Sequence, residues 1–124
     1  MRAFSPAAWE ANVRRVFGGA AQTLLTSENI LWHKNDPTRH AERLTRMMDN
    51  SGSIMAIIAE ELPNTEEIEA LMRHVGMPMR PADIGESEQD VRDALLCSRD
   101  IRDKYLTSSL LWDLGLLETY ADGL

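Results

Sequence analysis

Apolar residues recur at helical spacing along most of the chain, and capping residues, prolines and glycines separate one run from the next. Val13 and Phe17 follow Trp9 at intervals of four residues, which is the spacing of one face of a helix. Ser5 before Pro6 is typical of an N-cap with proline at the first helical position, and a glycine pair ends the run. The pattern therefore predicts a first helix that begins at Pro6.

A second helix is predicted from about Ala20 to His33. Three leucines share one side of this segment: Leu24, Leu25 and Leu31. A stop and a restart follow at Asp36 and Pro37, where Asp36 is the expected N-cap of a third helix. In the third helix the spacing groups three apolar side chains: Leu44, Met47 and Met48.

The third helix is interrupted at residues 50–52, Asn-Ser-Gly, because serine and glycine weaken a helix interior. The apolar pattern then resumes with four residues: Ile54, Ile57, Ile58 and Leu62. We therefore expect either one long bent helix or two helices stacked in line.

The second half of the chain also contains residues that start and end helices. Asn64 with Glu67 matches a capping box, and Ser87 with Asp90 predicts the start of a further helix that extends to Ile101. Between them, the i, i+3, i+4, i+7 rule is met by four apolar residues: Ile68, Leu71, Met72 and Val75. Gly76 and a loop with two prolines, residues 77–85, separate these two helices.

A final helix is predicted from about Thr107 to Leu114, and the tail Leu116–Leu124 is expected to hold one more turn. No window shows strand alternation, and no hairpin turn separates β-branched runs. The chain is therefore predicted to be all-α, with residues 1–124 forming a single domain of six or seven helices.

Composition narrows the class of protein. The 124 residues have a net charge of −7, which repels phosphate backbones and argues against a nucleic-acid partner. The sequence lacks an apolar run long enough to span a membrane, and its N-terminus lacks the apolar region of a secretory signal. We therefore expect a cytoplasmic protein with neither a membrane nor a nucleic acid as its partner.

Candidate chemistry is sparse. Cys97 lies beside two leucines and is interpreted as a small core residue. His33, His40 and His74 lack the spacing of a zinc site, and no phosphate-binding glycine motif or nucleophile elbow is present. The sequence therefore assigns no catalytic, cofactor-binding or metal-binding residue and no cofactor to this chain.

The densest charged segment is residues 99–104. In a helix, Arg99 would pair with Asp103 and Asp100 with Lys104, and Arg102 would turn inward toward Asp113 or a neighbouring helix. Such a network would fix the packing of the last helices. The alternative is a contact from Arg102 or Lys104 to a substrate anion.

Five of the seven methionines suggest either core filling or a flexible groove for a partner. Core filling is favoured for the three at helical spacing: Met47, Met48 and Met72. Met77 and Met79 flank Pro78 and are expected to be exposed or interfacial.

Several blocks of the chain resemble the C-terminal end of bacterial glycerol-1-phosphate dehydrogenases, in the iron-containing alcohol dehydrogenase and dehydroquinate synthase-like superfamily. The first block is Val16-Phe17-Gly18, and the second is Arg43-Leu44 with Asp49-Asn50 and Ile54. The third is Leu62-Pro63 with Ile68, Leu71-Met72 and the segment from Gly76 to Gly85. The last three are Ala94, Ile101-Arg102-Asp103-Lys104-Tyr105 and Leu110-Leu111-Trp112-Asp113-Leu114-Gly115. Two departures are the Ser51-Gly52 pair where the family has tryptophan, and Leu106 between Tyr105 and Thr107.

This resemblance implies the helical C-terminal part of the dehydroquinate synthase-like fold. A full enzyme of the family is NAD(P)-dependent: it reduces dihydroxyacetone phosphate with hydride from the reduced nucleotide and uses a divalent metal. Its nucleotide-binding domain and metal ligands would lie upstream of the segment that this chain matches, so the chain is expected to be inactive by itself. An N-terminal nucleotide-binding domain is then the expected partner.

Two other interpretations stay open. One is a free-standing, self-associating helical interaction module, whose apolar surface would need covering. The other is a helix-turn-helix regulator, which the acidic balance disfavours.

Overall fold

The computed structural model describes residues 4–123, which form eight α-helices and no β-strand. The helices are α1 (Pro6–Phe17), α2 (Ala21–Ser27), α3 (Pro37–Asp49), α4 (Ser51–Glu61), α5 (Thr65–His74), α6 (Glu88–Cys97), α7 (Thr107–Asp113) and α8 (Leu117–Ala121). Short 3-10 turns lie at Gly18–Ala20, Pro81–Ile84 and Ser98–Asp100, and a π-helical turn lies at Glu28–Trp32. The predicted all-α class is confirmed. The tail turn is α8; Leu124, where the predicted tail ends, lies outside the described residues, as do residues 1–3.

The capping residues set the helix boundaries as predicted. Ser5 accepts a hydrogen bond from the backbone N–H of Ala8, and Asp36 accepts two from the first turn of α3. The predicted capping box forms at Asn64 with Glu67, and the predicted helix start at Ser87 with Asp90 also forms a capping box. Each cap satisfies backbone donors that a helix N-terminus otherwise leaves without a partner.

The second predicted helix is α2 continued by the π-helical turn. Leu25 is buried on the core side, but Leu31, expected on the same side, is 69% exposed. A π turn bonds residue i to i+5, so it shifts the side chains after it away from the face that α2 presents to the core. The segment ends at His33, which has a left-handed φ of 50°.

The core of the molecule is formed by α1, α2, α6 and α8. Its centre is a cluster of three buried residues, Val13, Ala21 and Leu25, against which Trp9, Phe17 and Leu24 pack. Three further buried apolar residues come from the C-terminal half: Cys97, Leu117 and Ala121. We call these packed helices, together with α3 and α7, the body.

Residues 51–87, which we call the arm, are exposed almost throughout. The break predicted near residue 51 is present, because α3 ends at Asp49 and α4 begins at Ser51. Within the arm only Glu69 and Met72 are half-buried. The core-filling prediction is wrong for Met48, which is 76% exposed just before the arm begins, whereas Met77 and Met79 are exposed as expected.

The apolar stripes predicted for α4 and α5 therefore lack a covering element among residues 4–123. Eleven large apolar side chains of the arm are exposed: Ile54, Met55, Ile57, Ile58, Leu62, Ile68, Leu71, Val75, Met77, Met79 and Ile84. Exposed apolar side chains in this number are unusual for a monomeric protein. None of the described helices is both long and apolar enough to cross a membrane.

The Asn64 cap can be tested by mutation. Its side-chain oxygen lies 2.8 Å from the backbone nitrogen of Glu67 and satisfies a donor in the first turn of α5. Asn64→Ala is expected to destabilise α5 by about 1 kcal/mol. In amide hydrogen exchange, this loss of stability should appear as faster exchange within α5, with unchanged exchange in α1. Thr65→Ala, at the neighbouring position, is the control; equal protection of α5 in both variants would contradict the assignment.

Candidate functional site

The best-defined polar site of the body is centred on Asp113, at the end of α7, whose side chain is 1% exposed. Arg43 of α3 donates two parallel hydrogen bonds, with its Nε and Nη2 atoms 2.8 Å from the two carboxylate oxygens. Tyr105 donates its hydroxyl proton to Oδ2, also at 2.8 Å. This bidentate geometry is the strongest form of arginine–carboxylate pairing.

Two further contacts fix the same residues. His40 has its Nε2 atom 2.9 Å from the backbone carbonyl of Asp113, and its ring meets the Trp112 ring edge to face at 5.1 Å. Arg43 also donates to the backbone carbonyl of Lys34 at 2.9 Å. Residues from α3, the loop before α7 and α7 itself are thereby joined at one point.

The electrostatics of this site favour the paired state. The hydrogen bonds to Asp113 raise the pKa of the Arg43 guanidinium, although partial burial opposes this. Burial, followed by the hydrogen bond to Asp113, raises the pKa of Tyr105, so this phenol stays protonated at neutral pH. Tyr105 is therefore a hydrogen-bond donor here and not a base.

A second buried group of charges lies next to the first. Arg99 stacks its guanidinium 4.3 Å from the centre of the Trp112 ring and donates to the Asn35 side chain at 2.8 Å. Lys34 donates to the backbone carbonyls of Arg99 and Arg102. Burial lowers the pKa of Arg99 and of Lys34.

The carboxylates of this second group are Asp100 and Glu28, both buried. Asp100 lies 3.5 Å from Arg99, and burial raises the pKa of its carboxyl group. One oxygen of Glu28 accepts a hydrogen bond from the backbone N–H of Asn35. Together with Arg43 and Asp113, these residues give three positive and three negative groups, all buried or half-buried, so their charges balance.

The helix predicted to extend to Ile101 ends earlier, at Cys97. A 3-10 turn, Ser98–Asp100, and a bend follow it, so the predicted i, i+4 pairs of residues 99–104 do not form. The turn directs Arg99 and Asp100 into the body, where each meets partners distant in sequence. This part of the sequence prediction is wrong because tertiary contacts override the local helical spacing.

Arg102 does not turn toward Asp113 as predicted. Its side chain is exposed, as is that of Lys104, and the partner of Asp113 is Arg43 instead. Arg43 and Asp113 are 70 positions apart, so no local spacing rule links them. Arg43, Tyr105 and Asp113 each lie in one of the sequence blocks named above, which is the one signal in the sequence that relates them.

A cleft with a volume of about 760 Å³ lies beside the Asp113 site. Six lysine and arginine residues line it: Lys34, Arg39, Arg43, Arg46, Arg99 and Lys104. Four carboxylates also line it: Asp36, Glu42, Asp103 and Asp113. The lining therefore has an excess of positive charge, in a molecule whose total charge is negative. Its volume and charge suit an anionic group or an acidic segment.

The two other histidines considered as metal ligands, His33 and His74, lie at the ends of helical segments. His33 terminates the π-helical turn, and His74 ends α5. Among residues 4–123, no group of three or more histidine, cysteine or acidic side chains has the arrangement of a metal site.

Cys97 is buried, as predicted, and burial raises the pKa of its thiol to about 11. Because the thiolate is the reactive form, reaction with a disulfide reagent at neutral pH is expected to be slow in the folded protein. While the pH is below that pKa, the rate should rise about tenfold for each unit by which the pH is raised. Reaction with 5,5′-dithiobis(2-nitrobenzoate) should become fast in concentrated guanidinium chloride. Rapid reaction of the native protein at pH 7 would contradict this.

Comparison of the chain with protein-family models, with curated proteins and with solved structures finds no match. The structure itself defines the class, an all-α protein. The protein has an ion-pair site in which both carboxylate oxygens of Asp113 accept hydrogen bonds, a cationic cleft and an exposed acidic arm. Its function is argued below from these features.

Proposed function

We propose that this chain is the helical C-terminal part of an NAD(P)-dependent glycerol-1-phosphate dehydrogenase and is not catalytic by itself. One observation carries the proposal. Three blocks that resemble this family in sequence supply the three side chains of the Asp113 site: Arg43, Tyr105 and Asp113. Arg43 is distant in sequence from Tyr105 and Asp113, yet the three side chains form one hydrogen-bonded unit, so the blocks meet in one structural element.

The hydrogen bonds of the Asp113 site indicate a structural role, which is to hold α3 and α7 together. Both carboxylate oxygens of Asp113 accept hydrogen bonds, and the Arg43 guanidinium is shared between this carboxylate and the Lys34 carbonyl. A substrate would need to displace these bonds to reach either group. In the proposed enzyme this part of the chain holds the helical wall in shape and leaves bond-making to other parts.

In the full enzyme the reduced NAD(P) would donate the hydride, and a divalent metal would polarise the carbonyl oxygen that receives the proton. The residues described here do not fit either group, since no metal-type cluster and no strand–turn–helix unit occurs among them. The proposal therefore assigns cofactor binding to a separate nucleotide-binding domain. This chain would contribute the body that the domain packs against.

A chimera tests this proposal. The chain replaces the corresponding C-terminal segment of a glycerol-1-phosphate dehydrogenase, and oxidation of NADH or NADPH by dihydroxyacetone phosphate is followed with zinc or nickel present. We expect turnover by the chimera and none by the isolated chain. A chimera that carries an unrelated helical segment of equal length is the matched control.

Two results would overturn the proposal. One is a chimera that folds, as judged by circular dichroism, and binds its metal and nucleotide but lacks turnover. The other is turnover by the isolated chain.

The exposed arm favours a second candidate function, a self-associating helical module. The eleven exposed apolar side chains of residues 51–87 are the observation that supports it. Sedimentation at several concentrations separates this candidate from a simple monomer. A species that stays monomeric at high concentration would exclude it.

A further inference from the structure

The arm and the cleft have complementary charge. The arm, residues 51–87, carries seven carboxylates and two arginines, which is −5 of the net charge of −7. The cleft has six basic side chains against four acidic ones. Both surfaces belong to the same chain, so every molecule presents an acidic element and a basic receptor.

Helix α5 is the part of the arm best suited to dock. Its first turn holds Glu66 and Glu67, and its apolar stripe is exposed at Ile68, Leu71 and Val75. An amphipathic helix of this kind binds by laying its apolar face in a groove while its charges meet the rim.

The receptor offers both kinds of contact. The side chains of Arg39, Arg46 and Lys104 are exposed at the cleft. A shallow hollow of about 290 Å³ adjoins the cleft, where α3 meets α4. Its lining includes Met47, Ile54 and the ring of Tyr105, so it presents apolar surface directly beside the cations.

We propose that α5 of one copy docks across the cleft and hollow of a second copy, with its acidic turn toward the cations. Contact between two arms is disfavoured, because it would bring two segments of charge −5 together. Within one chain the apolar stripe of α5 remains exposed, so the docking is between molecules.

The form of the assembly depends on whether both copies dock. If each copy docks its α5 on the other, a two-fold dimer forms, whereas docking in one direction only produces larger assemblies. The proposal does not depend on the dehydrogenase assignment, because it uses only surfaces of this chain.

Sedimentation velocity on the full chain tests the docking. We expect self-association that rises with protein concentration and weakens as sodium chloride is raised, because salt screens exposed charges. Arg46→Glu with Lys104→Glu alters the cleft, and Glu61→Lys with Glu66→Lys alters the arm. Each double variant is expected to weaken association by roughly tenfold or more. The control is Glu10→Lys with Asp122→Lys, which reverses two carboxylates on the body that form exposed ion pairs.

Mixing the two variants provides the rescue. A lysine-bearing arm meets a glutamate-bearing cleft in the mixture, so association between the two variants is expected to return while each alone stays weakened. Circular dichroism of each variant should match that of the original chain. The proposal is overturned if the original chain is monomeric at every concentration. It is also overturned if association is strengthened by salt and unchanged in both variants, which would assign it to apolar contact between arms.

Discussion

Asp113→Ala is expected to destabilise the protein by about 3–5 kcal/mol, the range found when one partner of a buried ion pair is removed. The mutation removes the bidentate acceptor of the Arg43 guanidinium and the carboxylate that accepts from the Tyr105 hydroxyl. Since small domains are stable by only about 5–15 kcal/mol, a large share of the stability of the fold would be lost. Urea unfolding followed by circular dichroism measures the effect.

Asp103→Ala is the matched control for this experiment. Asp103 lies in the loop before α7, also lines the cleft and has an exposed side chain. Its removal is expected to change stability by no more than about 0.5 kcal/mol, as for most surface substitutions. If the two variants unfold at the same urea concentration, Asp113 does not hold α3 and α7 together. A variant of Asp113 that is already unfolded without urea agrees with the expectation.

Leu25→Ala is expected to cost about 2–5 kcal/mol, because it opens a cavity in the small core. Leu25 is 3% exposed and packs with Val13 and Ala21. The cost includes the lost burial of the side chain and the space that its neighbours cannot fill. Thermal or urea unfolding should show a lower midpoint with an unchanged denaturant dependence.

Leu31→Ala provides the comparison, because it is the same substitution six residues later in the same helical segment. Leu31 is mostly exposed beyond the π-helical turn, so its replacement should change stability by about 0.5 kcal/mol or less. Equal costs at the two positions would contradict the place of the π turn in the fold. Both variants must be compared at one protein concentration, since self-association adds to apparent stability.

Much of the fold follows from local chemistry. The N-caps at Ser5 and Asp36 and the capping box at Asn64 lie where the sequence predicts them, because each satisfies donors within the next three residues. The break near residue 51 is likewise local, since serine and glycine weaken the helix there. Helix class and most helix starts are therefore readable from short windows.

Features that depend on distant partners are not readable in this way. Periodicity identifies the apolar stripe of α5 but not whether a neighbour covers it, and Ile68 and Leu71 are exposed. Helical spacing also suggests that α6 continues to Ile101, whereas burial of Arg99 and Asp100 against other segments ends it at Cys97.

The same limit applies to the candidate site. Trp112 and Asp113 stand out in the sequence as a dense aromatic and charged segment, and the structure places both at the site. Their partners Arg43 and His40 come from α3, which no spacing rule connects to α7. The π-helical turn that displaces Leu31 has no signature in the apolar pattern. Of the cationic cleft, the sequence indicates only Lys104, as a candidate contact for an anion, because the lining is gathered from three separate segments.

The contact between Arg43 and Asp113 closes a loop of chain within which residues 51–87 lie. The entropy cost of closing a flexible loop grows only with the logarithm of its length, so halving or doubling the loop alters the cost by about 0.6 kcal/mol. Insertions or deletions within residues 51–87, where nearly every side chain is exposed, are therefore tolerated thermodynamically. An engineer could lengthen or shorten the connection between α4 and α5 without loosening the rest of the molecule, because the contact between Arg43 and Asp113 still holds α3 and α7 together.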